Sequence, residues 1–90
     1  MILVDNIETY TTRLRYKEWC HMHSDTSEDE LHDFASRLGL KREWFQSKPY
    51  AHYDITPSKR QLAVKLGAQE VTPREGLARN FDYRKRKGLP

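Results

Sequence analysis

Short apolar runs alternate along this chain with longer stretches in which apolar residues recur every three or four positions. Ile2-Leu3-Val4 meets Asp5-Asn6 at once, the pattern of a buried strand that ends on a polar group. Residues 8–16 mix Thr, Tyr, Arg and Leu without a period and read as a loop. Trp19-Cys20-His21-Met22-His23 is a second strand candidate, stopped by the turn and cap chemistry of Ser24-Asp25-Thr26-Ser27. Beyond Ser27, Leu31, Phe34, Ala35 and Leu38 recur at helical spacing, Ser27 and Glu30 stand as a capping box, and Gly39 supplies the stop. Lys41 to Gln46 adds a short turn that Ser47-Lys48-Pro49 breaks.

The pattern then repeats. Tyr50 to Ile55 alternates as a strand, and Thr56-Pro57 starts a helix that carries Leu62, Ala63 and Leu66 inward and stops at Gly67. Ala68 to Val71 is a last strand candidate, and Thr72-Pro73-Arg74-Glu75 caps a further short helix. Strands and helices in alternation predict an α/β fold: a small, mostly parallel sheet of three to four strands with two to three helices, in a single domain. Residues 1–72 are expected to form that domain, and residues 73–90 a basic C-terminal extension with a short helix and a flexible tail. In a parallel sheet the cleft lies beyond the C-terminal strand ends, so Asp5, His23, Asp25, His52 and Asp54 are expected on that edge.

Composition narrows the class. Ninety residues, 37% hydrophobic and 32% charged, suit one soluble domain with a thin core. No apolar run reaches the ~18 residues of a membrane span, and no secretory signal is visible. Cys20 stands alone, which excludes an intrachain disulfide and any zinc site built on several cysteines, and points to a reducing cytoplasm. The net charge of +3 is unevenly spread: Asp25, Glu28, Asp29, Glu30 and Asp33 crowd the middle and Arg84-Lys85-Arg86-Lys87 the end. Walker, dinucleotide-binding and nucleophile-elbow motifs are absent.

Two His-x-Asp pairs carry the candidate chemistry. His23-Ser24-Asp25 and His52-Tyr53-Asp54 each precede a helical stretch closing on Ala-x-x-Leu-Gly, through Ala35, Leu38 and Gly39 and through Ala63, Leu66 and Gly67. Glycine stops and apolar faces alone make two such units look alike, but no fold demands the His-x-Asp pairs, which lie 29 residues apart while the glycines lie 28 apart. His23, Asp25, His52 and Asp54 form the candidate catalytic set, and a cross-unit pair such as His52 with Asp25 suits acid-base work better than two neighbours on one strand. His21, His23 and Asp25 alternate onto one strand face, which makes them, with His52, candidate ligands for a divalent metal such as zinc, completed by His52 or Asp54. Histidines packed in a sheet or bonded to carbonyls give the same pattern.

The helix start at Thr56, with Ser58, Lys59 and Arg60, reads as an anion site, Arg60 gripping phosphate bidentately; simple capping explains Thr56 equally well. Trp44 and Gln46 are candidates to recognise a base, with Tyr53 or Tyr50 stacking, while Phe45 reads as core. Asp5 joins the ligand-binding candidates, and exposed-face placement accounts for Glu30 and His32. Phe81, Tyr83 and the basic run 84–87 have the composition of a nucleic-acid contact and equally of a solvated tail.

The order of His23-x-Asp25-Thr26, Glu30-Leu31-His32, Leu38-Gly39-Leu40, Trp44-Phe45-Gln46, His52-Tyr53-Asp54 and Lys59-Arg60 resembles a small family of bacterial and phage proteins known only as a domain of unknown function. The resemblance spans roughly Ile2 to Val71. It implies a bacterial or viral setting and a small stand-alone domain, hence a bacterial host cytoplasm, and brings no activity with it.

From the residues, the expected function is binding of a phosphorylated ligand, a nucleotide or a nucleic-acid phosphodiester, with hydrolysis of the phosphodiesterase or nuclease kind. The alternatives are a non-catalytic binder that sequesters a nucleotide signal or docks on a host factor, and a nucleic-acid-binding accessory protein. The thin core makes a homodimer a reasonable expectation.

Overall fold

In the computed structural model, residues 1–9 and 18–89 are described. The elements run β1 (Ile2–Val4), β2 (Glu8–Thr9), β3 (Glu18–Ser24), α1 (Glu28–Arg37), a 3-10 turn (Arg42–Trp44), β4 (Tyr53–Ile55), α2 (Pro57–Lys65), β5 (Gln69–Glu70) and α3 (Pro73–Arg86). Of the segment read as a loop, Glu8 and Thr9 form β2, and residues 10–16 lie outside the described residues.

The α/β class holds, but the sheet is mostly antiparallel, not mostly parallel. β3 pairs antiparallel with β1, β2 and β4, and the parallel ladder is β1 with β5. Val4 and Tyr53 both oppose Met22, so β1 and β4 flank β3 on opposite edges. The expectation of parallel strands rested on strands and helices alternating, and a crossover through α1 alone would set β4 parallel to β3. Instead Gln46 and His52 exchange backbone hydrogen bonds of 3.0 and 2.9 Å, an added reversal that brings β4 back against β3 in the opposite sense.

Alternation along β3 splits the molecule into two faces. Cys20 and Met22, with Val4, Tyr53 and Ile55, meet Leu31, Phe34, Ala35 and Leu38 of the α1 region and Ala63 of α2 in one core cluster. His21 and His23 turn the other way. Leu3 pairs with His23 and Asp54 with His21, so all four side chains share that second face. On it, α3 brings Gly76 against His23. Leu62, expected inward, is instead among the exposed large hydrophobic residues.

Helix ends follow the cap residues. Ser27 accepts from the Glu30 amide at 3.0 Å, but the Glu30 carboxylate accepts from the Met1 amine and the Ser24 hydroxyl rather than closing a capping box. Thr72 and Glu75 complete the reciprocal box at the start of α3. Gly39, at φ 78°, ends α1 in the left-handed region that favours glycine. The stretch expected as a short helix and tail is thus a 14-residue helix with Gly76, Asn80 and Tyr83 buried. Among the described residues, no helix is long and apolar enough to cross a membrane.

Candidate functional site

Asp5, just past β1, lies beside His21 across the antiparallel ladder. Its carboxylate accepts twice, from the His21 backbone N–H at 2.7 Å and from His21 Nδ1 at 2.8 Å. Its own carbonyl accepts from Arg60 Nε at 2.7 Å, so α2 holds Asp5 in place while Asp5 holds the imidazole. The hydrogen bond between the Asp5 carboxylate and the imidazole outweighs partial burial and raises the His21 pKa above the usual histidine value.

On the opposite edge of β3, Asp54 faces His21. Asp54 Oδ1 lies 3.9 Å from His21 Nε2 and 3.5 Å from His52 Nε2. Asp54 Oδ2 accepts from Gln46 Nε2 at 2.7 Å. The His52 contact, aided by Gln46, holds the Asp54 carboxyl below its ordinary range against the cost of burial. His52 is 3% exposed, and its Nδ1 donates to the Tyr50 carbonyl at 2.6 Å. The His21 and His52 rings meet edge to face with centroids 5.2 Å apart. One nitrogen from each ring and one Asp54 oxygen all lie within 4.8 Å of one another.

These three side chains belong to a cleft of about 1080 Å³, at the upper end of small-molecule sites. Trp44 and Gln46 line it from the segment after α1, Lys48 and Pro49 from the following turn, and Thr56, Ser58 and Lys59 from the start of α2. Trp44 is half exposed. Thr56 caps α2 by accepting from the Lys59 amide at 3.4 Å, and the Lys59 ammonium donates to the Leu38 carbonyl at 2.7 Å. Both roles are structural, and both leave the side chains on the cleft wall.

The other candidates lie elsewhere. His23 is 1% exposed, packed between the Tyr50 ring and Gly76, and burial pushes its pKa down to about 4, so it is a neutral core residue. Asp25 is clamped by Arg79 and lies 3.1 Å from the Met1 amine, not beside His52. Tyr53 is buried with its hydroxyl 2.9 Å from His32 Nδ1. Arg60 pairs with Glu70 at 2.8 Å in addition to Asp5 and is absent from the cleft lining. Asp5, His23, Asp25, His52 and Asp54 do not share the C-terminal edge of a parallel sheet: Asp5 and Asp54 instead flank His21 across antiparallel strands, with His52 beside Asp54, while His23 is buried and Asp25 is held by Arg79 and the Met1 amine. The two His-x-Asp pairs are correspondingly not equivalent, since His21 rather than His23 meets the second pair.

Sequence reading missed the Tyr50 carbonyl, Trp19, Lys48 and Pro49 as parts of this site. No residue-type signal marks a backbone carbonyl, and Lys48 read only as part of a helix break. A family model described as Protein of unknown function (DUF4031) matches residues 2–82, reaching past the segment that carries the motif resemblance. No curated protein and no solved structure matches this chain.

Proposed function

The chain belongs to that family of unknown function, so its chemistry has to be read from the site, and we propose that the cleft binds a phosphorylated ligand, a nucleotide or a nucleic-acid phosphodiester, and hydrolyses it. The supporting observation is the company kept in one concavity: His21, His52 and Asp54 line the same cleft as Thr56, Ser58 and Lys59 at the start of α2 and as Trp44 and Gln46. The start of α2 offers an anion the positive end of the helix dipole and the Ser58 hydroxyl, Pro57 having no N–H and the Lys59 N–H being bonded to Thr56; an exposed indole offers a face to a base, and an imidazole–carboxylate group activates water. The phosphate is assigned to Ser58 and the first turn of α2 together with Lys48. Arg60, committed to Asp5 and Glu70, acts as a positioning residue for Asp5.

The test is a panel of nucleoside phosphates, cyclic nucleotides, single-stranded oligonucleotides and bis(p-nitrophenyl) phosphate incubated with the full chain and divalent ions. Turnover that falls ~100-fold or more in His52→Ala and in Asp54→Asn is expected. Ligand that binds and is recovered intact would replace hydrolysis by sequestration in the same cleft. Absence of binding across the panel would end the phosphate reading.

A further inference from the structure

His21 and His52 each have one ring nitrogen tied to an oxygen that only accepts: Asp5 Oδ2 at 2.8 Å for His21 and the Tyr50 carbonyl at 2.6 Å for His52. The ring proton therefore sits on Nδ1 in both, and in the neutral rings the lone pair is left on Nε2. Both Nε2 atoms approach the same Asp54 Oδ1, at 3.9 and 3.5 Å. The other Asp54 oxygen is held by Gln46, so each of the three groups has a partner fixing the end that points away from their common centre. An imidazole whose far nitrogen donates to a carboxylate or carbonyl is the arrangement adopted by metal-bound histidines, because it fixes the tautomer and the ring orientation.

Distances agree with this use. A tetrahedral ion bound at ~2.0–2.1 Å holds its ligand atoms ~3.3 Å apart. Asp54 Oδ1 lies 3.9 and 3.5 Å from the two Nε2 atoms, and one ligand atom from each of the three residues lies within 4.8 Å of the others, so the cluster needs to contract by about an ångström to bind an ion. Two imidazoles and one carboxylate disfavour magnesium and calcium, which take oxygen ligands, and suit zinc and its first-row neighbours.

We infer that His21 Nε2, His52 Nε2 and Asp54 Oδ1 are the protein ligands of a divalent first-row transition ion, zinc being the best match, with a remaining coordination position open to the cleft. Asp5, the Tyr50 carbonyl and Gln46 orient those ligands, and Arg60 steadies Asp5. The inference stands on this geometry and does not require the phosphate reading. The competing account is an ordinary ion pair in which Asp54 balances protonated imidazoles.

Chelator-stripped full-length protein is titrated with Zn²⁺ alone by calorimetry and with Co²⁺ by visible absorption. One ion per chain is expected, with the intense absorption of four-coordinate cobalt. His52→Ala and Asp54→Ala should each weaken binding by more than the ~10–100-fold expected of the orienting variant Asp5→Asn, and His32→Gln, outside the cluster, should leave it unchanged. Should the ligand variants fail to fold, side-chain nitrogen NMR of the unaltered protein decides: Zn²⁺ must shift Nε2 of His21 and His52 while both Nδ1–H signals persist. No stoichiometric binding, or no movement of those Nε2 signals, overturns the metal site. The titration contains no phosphate compound and so stands apart from the turnover panel: metal binding with no turnover in that panel refutes only the catalytic reading, and turnover in that panel by a protein that binds no metal refutes only the metal site.

Discussion

Individual side chains here are often defined by what lies one residue away on the strand. Cys20 faces the core, next to His21 on the open face, and burial, reinforced by Asp5, pushes its thiol up to about 12. A thiol with that value holds almost no thiolate at neutral pH. Native protein should resist a disulfide reagent at pH 7.5, and a single thiol should appear on denaturation in guanidinium; rapid labelling of the folded chain would contradict the burial described. Gly76 is the counterpart on α3. A methyl group there would lie 3.1 Å from His23 Nε2 and 3.4 Å from Val71 Cγ2, both fixed by packing. Gly76→Ala should therefore fail to gain the ~1 kcal/mol that this change gives in an open helix, leaving the melting temperature unchanged or lower. A clear rise would mean that His23 yields easily.

Among the elements, α3 depends most visibly on its first turn. Thr72 Oγ1 accepts from the Glu75 amide at 3.1 Å and Glu75 Oε1 accepts from the Thr72 amide at 3.2 Å. Thr72→Ala should cost about 1 kcal/mol in urea unfolding, and Thr72→Ser much less, because the hydroxyl is what satisfies the helix donor. Cap residues such as Ser27, Thr56-Pro57 and Thr72-Pro73 made helix starts legible in the sequence, since each has a local cause. Strand direction was not legible. It turns on the Gln46–His52 reversal, where Ser47-Lys48-Pro49 announces a break in the helix but not the pairing of the residues on either side. The inward face of α2 is centred on Ala63, with Val64 and Leu66 packed beside it, and leaves Leu62, about 100° round the helix from Ala63, on the exposed side; spacing alone puts Leu62, Ala63 and Leu66 on one face and does not say which of them lies at its edge.

For the molecule as a whole, Asp25 ties distant parts of the chain together. Its carboxylate accepts from Arg79 of α3 and stands beside the Met1 amine, while its backbone carbonyl accepts from Arg86 Nη2 at 3.0 Å. Burial opposes its charge, but the Arg79 and N-terminal contacts outweigh burial and hold its pKa below the usual carboxylate value. A lowered acid pKa stabilises the fold above the unfolded value and loses that contribution as pH falls through the folded one. Denaturant midpoints should therefore drop as pH falls below about 4, and less steeply in Asp25→Asn, which should already be weaker at pH 7 by up to about 1 kcal/mol. Equal acid slopes in both proteins would remove Asp25 from that role. The candidate site was half legible on this scale. Its residue types stood out, but which histidine meets Asp54 is decided by antiparallel register, and both His21 and His23 satisfy the same alternation.

That register has an evolutionary consequence. β3 places His21 on one face and Cys20 and Met22 on the other, so inserting or deleting one residue within Glu18–Ser24 would swap the two sets, sending imidazoles into the oily layer and sulfur to the surface. Homologues should keep the number of residues in this strand fixed and should collect length differences outside it.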